Sequence, residues 1–168
     1  MATRALREHA DQTEARASLR MWLRLLTCTN LIESQIRGLL RERFRTTLPR
    51  FDVLAQLDAA NLELGRGLTL SELCRRLMVT NGNVTGLVER LVSEGLVSRT
   101  VSSNDRRSQI VRLTPAGKRA FERMVPEHRA WVEEMFARLK SAERSQLYDL
   151  LGRLKDSVQS ACCDERAK

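Results

Sequence analysis

The sequence predicts a mainly α-helical protein that carries one small β-hairpin, and three observations support this fold class. Apolar residues recur at steps of three and four over most of the 168 residues, which is the spacing of amphipathic helices. Between Gly95 and Thr114 that spacing gives way to the alternating pattern of strands. Threonine, proline and glycine signals separate the segments. The length is enough for one domain with a core, or for a small domain with helical extensions.

The first two predicted elements are helices. One runs from Leu19 to about Phe44, after a polar stretch that we expect to be frayed. The second begins with Thr47 as its cap and Pro49 in its first turn, and LELGRG ends it. The first helix has an apolar line and a polar line along its length. The apolar line consists of Leu25, Cys28, Ile32, Ile36 and Leu39, and the polar line consists of Asn30, Ser34, Arg37 and Arg41.

Two short helices and a hairpin follow. Thr69 and Glu72 form a T-x-x-E capping box, which predicts a helix that ends near Met78. Thr80 caps the next helix, which begins at Asn81. LVSRTV and SQIVRL then alternate as strands do, and the polar, basic sequence SSNDRR joins them. The order helix, turn, helix and basic hairpin is that of a winged helix-turn-helix lobe.

The C-terminal part predicts two more helices. Thr114 and Pro115 start the first, and Pro126 should kink or break it because a proline inside a helix costs about 3 kcal/mol. Ser141 caps the second, and SACCDERAK is expected to be a loose tail. The outer helices have apolar stripes too broad for the small central lobe to cover. We therefore expect these stripes to meet another subunit.

Composition and charge favour a polyanionic partner. The chain has 29 Lys and Arg against 21 Asp and Glu, a net charge of +8, which favours nucleic acid first and an anionic membrane second. Half of this excess, eight basic against four acidic residues, falls within residues 66–112. No segment approaches the ~20 apolar residues of a membrane span, and no secretory signal is visible. We therefore expect a cytoplasmic protein that does not interact with membranes.

No motif predicts an enzyme, a cofactor or a metal. The chain has no H-E-x-x-H, G-x-S-x-G, P-loop or G-x-G-x-x-G sequence, and His9 and His128 are its only histidines. Cysteines 28, 74, 162 and 163 form no C-x-x-C pair and are expected to be free thiols. Cys28 and Cys74 are expected to pack as small apolar groups, and Cys162 and Cys163 to lie in the tail.

The helix that starts NGNVTGLVERL has an unusual outward face. On a helical wheel Val84, Leu87, Val88 and Leu91 fall on the buried side, and Gly82 and Gly86 lie at the centre of the opposite side. Asn83, Thr85 and Arg90 flank the glycines. Because amides, hydroxyls and guanidinium groups pair with base edges, we predict that this face enters a major groove of DNA. In the hairpin, Asp105 can hold Arg107 extended toward a narrow minor groove.

The segment SELCRRLMVTNGNVTGLVERLVSEGLVSRTVSSNDRRSQIVRLTPAG resembles the DNA-binding lobe of MarR-family regulators (multiple antibiotic resistance regulator). The strongest match is D-x-R followed by V-x-L-T-x-x-G, and the helix order extends the resemblance to roughly residues 15–160. The resemblance implies DNA contacts from the recognition helix and the wing. These are Thr80, Asn81, Asn83, Thr85 and Arg90 on the helix, and Asp105 and Arg107 on the wing. We add Gly86, where DNA can approach the helix closely, and the neighbouring wing residue Arg106 to the predicted DNA-binding residues. Many members carry a basic residue where this chain has Gly86.

The resemblance further implies an obligate homodimer that binds an operator with two half-sites, usually to repress transcription. It divides the chain into an N-terminal dimerisation helix (1–46), a DNA-binding lobe (47–114) and C-terminal dimerisation helices with a tail (115–168). The family binds small effectors between the lobe and the dimerisation region. The candidate effector contacts are Asn30, Ser34, Arg37, Phe51, His128 and Trp131. TLPRFDVLAQLD with NGNVTG is similar to a subgroup that responds to aromatic acids or their coenzyme A thioesters.

Several alternatives stay open. The polar strip of the first helix can equally be a solvated surface, and His128 and Trp131 can be core or dimer contacts. The protein can be a DNA-binding architectural protein that responds to no ligand, or an adaptor whose basic face meets an acidic protein. One branch of the family senses oxidants through a cysteine of the first helix, so redox sensing through Cys28 is a further alternative.

Overall fold

A computed structural model describes the backbone of residues 2–101 and 109–166, and the side chains of residues 16–80, 82–101 and 109–160. Helices dominate, and one small antiparallel sheet accompanies them, which confirms the predicted fold class. In chain order the elements are α1 (Ala2–Phe44), α2 (Leu48–Leu64), β1 (Leu68–Thr69), α3 (Leu70–Leu77), α4 (Asn81–Ser93), β2 (Val97–Val101), β3 (Gln109–Leu113), α5 (Pro115–Met135) and α6 (Ser141–Arg166).

Local signals set the ends of α2 and α3 as predicted. Thr47 is the N-cap of α2, and Gly65 ends this helix in the left-handed region with φ 61°. The capping box of α3 is complete. The Glu72 amide donates to Thr69 Oγ1 over 3.2 Å, and the Thr69 amide donates to Glu72 Oε2 over 2.8 Å. These contacts begin α3 directly after the short strand β1.

The sheet has the strand order β1-β3-β2, so the hairpin strands pair and β1 lies against the outer edge of β3. Val97 is opposite Leu113 in the hairpin, and Leu68 is opposite Val111. The sequence analysis missed β1. Two residues are too few for a period-two pattern, and their extended shape follows from pairing with β3. Gly67 permits that approach, since a Cβ there would lie 2.3 Å from the Val111 carbonyl oxygen.

The core joins α2, α3, α4 and the sheet. Val84, Val88 and Leu91 are at most 1% exposed, as predicted for the buried face of α4, whereas Leu87 of the same predicted face is half-buried and lines a cleft. Further buried side chains come from the C-terminal part of α1, from the flanking helices and from the strands. They include Ile36, Leu40, Val53, Leu54, Leu57, Leu68, Leu73, Cys74, Val97 and Val111.

Three expectations are corrected. Helix α1 already begins at Ala2, and Cys28 is exposed on it instead of packed in the core. Helix α5 continues through Pro126 to Met135, so of the two predicted effects of this proline, a kink or a break, the break does not occur. Helix α6 includes residues 160–166, which were expected to form a loose tail. That stretch contains no glycine or proline that would end a helix.

The chain divides into two compact units, Met1–Glu127 and His128–Lys168. In the first unit, Lys118 Nζ donates to Asp58 Oδ1 over 2.5 Å and so ties the first turn of α5 to α2. Asp58 is otherwise buried, at 8% exposure. The functional boundaries expected at 46/47 and 114/115 stay a prediction.

Candidate nucleic-acid interface

The outward face of α4 is bare at its centre. Gly82 and Gly86 are exposed, and a Cβ added to either would meet nothing within 4 Å. Asn83 and Arg90 are exposed on the same helix, and Thr85 is half-buried. Arg90 makes no ion pair with any residue whose side chain the structure describes. The face thus presents an amide, a guanidinium and open backbone, which are the groups that contact base edges and phosphates.

Two ion pairs tie α4 to its neighbours. Arg50 Nη1, in the first turn of α2, donates to Glu94 Oε1 over 2.7 Å, and Arg50 Nη2 donates to Glu94 Oε2. Arg99 Nη1 on β2 lies 3.8 Å from Glu89 Oε1. The hydrogen bond to Arg50 lowers the pKa of the Glu94 carboxyl, and the same bond raises the pKa of Arg50. The Arg50–Glu94 pair therefore stays ionised around neutral pH.

The predicted wing is present as the β2–β3 hairpin, whose strands pair from Val97 to Val101. Its tip, with Asp105, Arg106 and Arg107, lies outside the described residues, as does the side chain of Asn81. Thr80 is exposed and is the N-cap of α4, although its side chain makes no capping hydrogen bond. Its hydroxyl therefore does not satisfy the backbone amides of the first turn.

A cleft of about 660 Å³ opens beside the glycine face of α4. Four helices of the first unit form it: α1, the start of α2, the end of α3 and α4, together with the turn that precedes α4. The lining residues are Glu33, Arg37, Thr47, Leu48, Pro49, Asp52, Leu77, Val79, Gly82, Asn83, Val84, Gly86, Leu87 and Arg90. The residues predicted to contact DNA therefore also form one wall of a cavity large enough for a small molecule.

The cleft contains both signs of charge. Arg37 Nη2 donates to Glu33 Oε2 over 2.5 Å, so these two groups neutralise each other in part. Burial, with a smaller contribution from the charge of the nearby Glu33, raises the pKa of Asp52 to about 6 against the opposing effect of Arg37. Asp52 is therefore a carboxyl group that changes charge close to neutral pH.

The predicted effector contacts are only partly brought together. Asn30, Ser34, Arg37 and Arg41 line a groove of about 490 Å³ along α1, and Arg37 also reaches the main cleft. Phe51 lies in the core, where its ring centroid is 5.5 Å from that of Phe121, instead of on the cleft. His128 and Trp131 belong to the second unit, where their rings meet edge to face at 6.5 Å. Burial lowers the pKa of His128.

The sequence analysis missed Glu33 and Asp52 as cleft residues. Each is a single acidic residue on an amphipathic helix, and nothing local distinguishes it from a solvated surface residue. Their shared feature, a half-buried position near Arg37, arises only when α1 and α2 pack together.

Two kinds of site are absent from the described part of the chain. No helix in residues 2–101 and 109–166 is long and apolar enough to span a membrane. Those residues also contain no cluster of three or more His, Cys, Asp or Glu that is arranged to hold a metal ion. The side chains of Cys162 and Cys163 lie outside the described residues.

Helix α3, the turn to α4, and the hairpin β2–β3 together define a winged-helix protein of the DNA-binding class. The model of the MarR family matches residues 46–108. An uncharacterised HTH-type transcriptional regulator of Bacillus cereus is 33% identical over 132 residues, which are 78% of this chain and 84% of the relative. The chain belongs to the MarR family and is a transcriptional regulator, not an enzyme.

Two further comparisons extend this assignment. The transcriptional activatory protein BadR of Rhodopseudomonas palustris is 28% identical over 133 residues, which are 79% of this chain and 74% of BadR. The crystal structure of a mutant of E. coli MarR complexed with operator DNA superimposes with a TM-score of 0.71 at 25% identity. This match covers 80% of the present chain and 93% of the other.

Proposed function

We propose that this protein binds a pseudo-palindromic operator in double-stranded DNA as a homodimer, represses transcription, and is released by a small aromatic acid or an aromatic acyl-CoA. The observation that carries the proposal is the exposed face of α4, where Gly82 and Gly86 leave open space beside Asn83 and Arg90. Close approach of a helix backbone is what a major groove requires of a recognition helix. The operator complex of the E. coli relative supports the same mode of binding.

Exposed apolar side chains support the homodimer. On α1 they include Trp22, Leu23 and Leu31, which are 47–64% exposed. On α6 they include Tyr148, Leu151 and Leu154, which are 40–79% exposed. Contiguous apolar faces of this kind are rarely left in water. A second copy of the chain would cover them and would place two α4 helices in successive major grooves, about 34–36 Å apart.

The cleft supports the effector part of the proposal. Arg90, or Arg37 after release from Glu33, suits a carboxylate. Pro49 and Leu87 offer apolar surface to a ring that lies flat against the glycine face. A cleft of about 660 Å³ would accommodate an aromatic acid, and the coenzyme A portion of a thioester would extend beyond it. A bound ligand would favour another position of α4 and lower DNA affinity by a coupling energy of about 1–3 kcal/mol.

The DNA-binding part is tested by selection of a preferred duplex from random sequences, followed by fluorescence anisotropy. Asn83→Ala should weaken binding to the selected duplex but not to other sequences, because an amide contacts a particular base. Arg107→Ala should weaken binding to most sequences. It should also reduce the steepness with which the logarithm of the binding constant falls with the logarithm of salt concentration (the salt slope) by about 1, as expected for a lost phosphate contact. An Arg107→Ala variant with unchanged affinity at low and high salt would refute the wing assignment.

The effector part is tested by thermal shift with benzoate and benzoyl-CoA, followed by release of the protein from the selected duplex. We expect at least one of the two ligand classes to raise Tm and to lower DNA affinity. Tight, sequence-specific binding that no aromatic acid or acyl-CoA relieves would favour a ligand-independent architectural protein. Binding without sequence preference, unaffected by Asn83→Ala, would favour the adaptor.

A further inference from the structure

The Arg50–Glu94 pair stands out among the ion pairs of the first unit because it joins the end of the recognition helix to a different element. Arg50 is 44 residues from Glu94 in the sequence, and its two Nη atoms donate to the two carboxylate oxygens. Such a forked pair, with two parallel hydrogen bonds, constrains the relative orientation of the two side chains as well as the distance between them. The Arg50 side chain is 22% exposed and that of Glu94 43%, so water competes only in part for the pair.

Among the described residues, the guanidinium of Arg50 forms hydrogen bonds only with Glu94. Its Nε atom is buried without a hydrogen-bond partner there, and both Nη atoms are engaged by Glu94. Glu94 is the C-cap of α4, at the negative end of the helix dipole, where a carboxylate is unfavourable unless a cation neutralises it. The sequence therefore keeps an acidic residue at a poor position, and Arg50 compensates for it.

The location of the pair relates it to the DNA-binding face. Arg90, one turn before Glu94, is exposed and makes no ion pair with a described residue, whereas Glu94 is held against α2. On the other side, Glu89 is 3.8 Å from Arg99 on β2, a longer and weaker contact. Of the two ion pairs that α4 makes with its neighbours, the firmer one is thus at its C-terminal end, where it can constrain the direction of a helix whose other face packs into the core.

We propose that Arg50 is a positioning residue: its fork to Glu94 sets the direction of α4 and keeps the Glu94 charge away from the phosphates. This inference rests on the proposed DNA-binding function. Arg50 itself makes no phosphate contact, because both Nη atoms face the Glu94 carboxylate and Nε is buried. Loss of the pair therefore reduces discrimination between sequences more than it reduces general affinity for DNA.

Arg50→Met tests this by removing the charge while the aliphatic stem remains. We expect affinity for the selected operator to fall about 10-fold, roughly the loss of one base contact, while affinity for a random-sequence duplex of equal length changes little. Glu94→Gln should have a similar effect, and the double variant should be no worse than either single one. The exchange Arg50→Glu with Glu94→Arg should restore discrimination. Arg66→Met, which breaks another forked pair with Glu72, is the matched control.

A direct phosphate contact by Arg50 would give the opposite pattern. Arg50→Met would then weaken operator and random DNA equally and lower the salt slope by about 1, and Glu94→Gln would strengthen binding by freeing Arg50. That result would overturn the proposal.

Hydrogen exchange of the protein in the absence of DNA tests the positioning role of Arg50 independently of the proposed DNA-binding function. Arg50→Met should speed exchange at the amides of residues 90–94, and Arg66→Met should not. Unchanged exchange there overturns the positioning role. A wild-type protein that shows no sequence-specific binding refutes the proposed function, and the exchange experiment still decides whether Arg50 positions α4.

Discussion

At the scale of single residues, Asp52 is the group whose charge the fold changes most clearly. Burial between α1 and α2, together with repulsion by Glu33 and against the effect of Arg37, raises its pKa from 3.8 to about 6. The folded protein therefore binds a proton more tightly at Asp52 than the unfolded chain does. Ionisation of Asp52 therefore lowers the free energy of unfolding as pH rises from about 4 to about 6, and this destabilisation is fully present at pH 7.5.

Asp52→Asn removes that cost. We expect the free energy of unfolding at pH 7.5 to rise by about 1 kcal/mol, a value discounted because the carboxyl is partly exposed. The gain should shrink below pH 5, since Asp52 is then protonated in the wild type. Urea unfolding followed by circular dichroism at both pH values measures the effect. Asp149→Asn on the exposed surface of α6 is the control, and an equal gain from both variants would contradict the assignment.

Asp52 also affects the binding of an anionic ligand in the cleft. Near pH 7.5 its carboxylate repels a second carboxylate, and near pH 5.5 it can donate a hydrogen bond. An aromatic acid should therefore bind more tightly at the lower pH.

At the scale of elements, two glycines at helical positions play opposite roles. Gly86 on α4 faces open space, whereas a Cβ at Gly117 on α5 would lie 1.9 Å from the Leu96 carbonyl oxygen. The first glycine costs helix stability without any packing need in this chain, and the second is required for α5 to approach the end of α4.

Substitution by alanine should therefore have opposite effects on protein stability at Gly86 and at Gly117. Gly86→Ala should stabilise the protein by about 1 kcal/mol, the difference in helix propensity. Gly117→Ala should destabilise it, because backbone atoms must move. Thermal unfolding measures both, and anisotropy with the selected operator should show that Gly86→Ala binds DNA less tightly despite its higher Tm. A lower Tm for Gly86→Ala would contradict an open face at this position.

Local signals were sufficient to predict most elements. The capping box at Thr69, the stop at Gly65 and the alternation of the hairpin are short-range effects, and the structure confirms them. Strand β1 depends on pairing with the distant strand β3, so local rules missed it. The wheel of α4 predicted its buried and bare faces because a regular helix fixes them.

The cleft was beyond prediction for a related reason. Its residues come from four helices. Whether a side chain such as Phe51 lines a cavity or fills the core depends on the rotation of its helix about the helix axis, which sequence spacing does not define. The polar strip of α1 was predicted correctly as a strip, but only Arg37 of its residues reaches the main cleft.

At the scale of the whole molecule, the exposed apolar faces of α1 and α6 predict that the dimer is the stable form. Leu154→Glu on α6 should shift the protein toward monomer, because a carboxylate cannot be buried in an apolar interface without a partner. Light scattering after gel filtration measures the mass, and operator affinity should fall together with dimer content. Leu62→Glu is the control, since Leu62 on α2 is also exposed and lies in the DNA-binding lobe. Equal masses for both variants would contradict the assignment.

The residues that follow the wing have a consequence for comparisons among relatives. Val111 is fully buried, and Thr114 Oγ1 donates to the Gly95 carbonyl oxygen over 2.7 Å while it accepts from the Gly117 amide over 3.0 Å. These positions join the hairpin to α5, so selection on them preserves architecture. The exposed positions of α4 can change during evolution without weakening the contacts between the hairpin and α5. Two descendants of one ancestor can therefore keep this stretch intact and still come to control different genes.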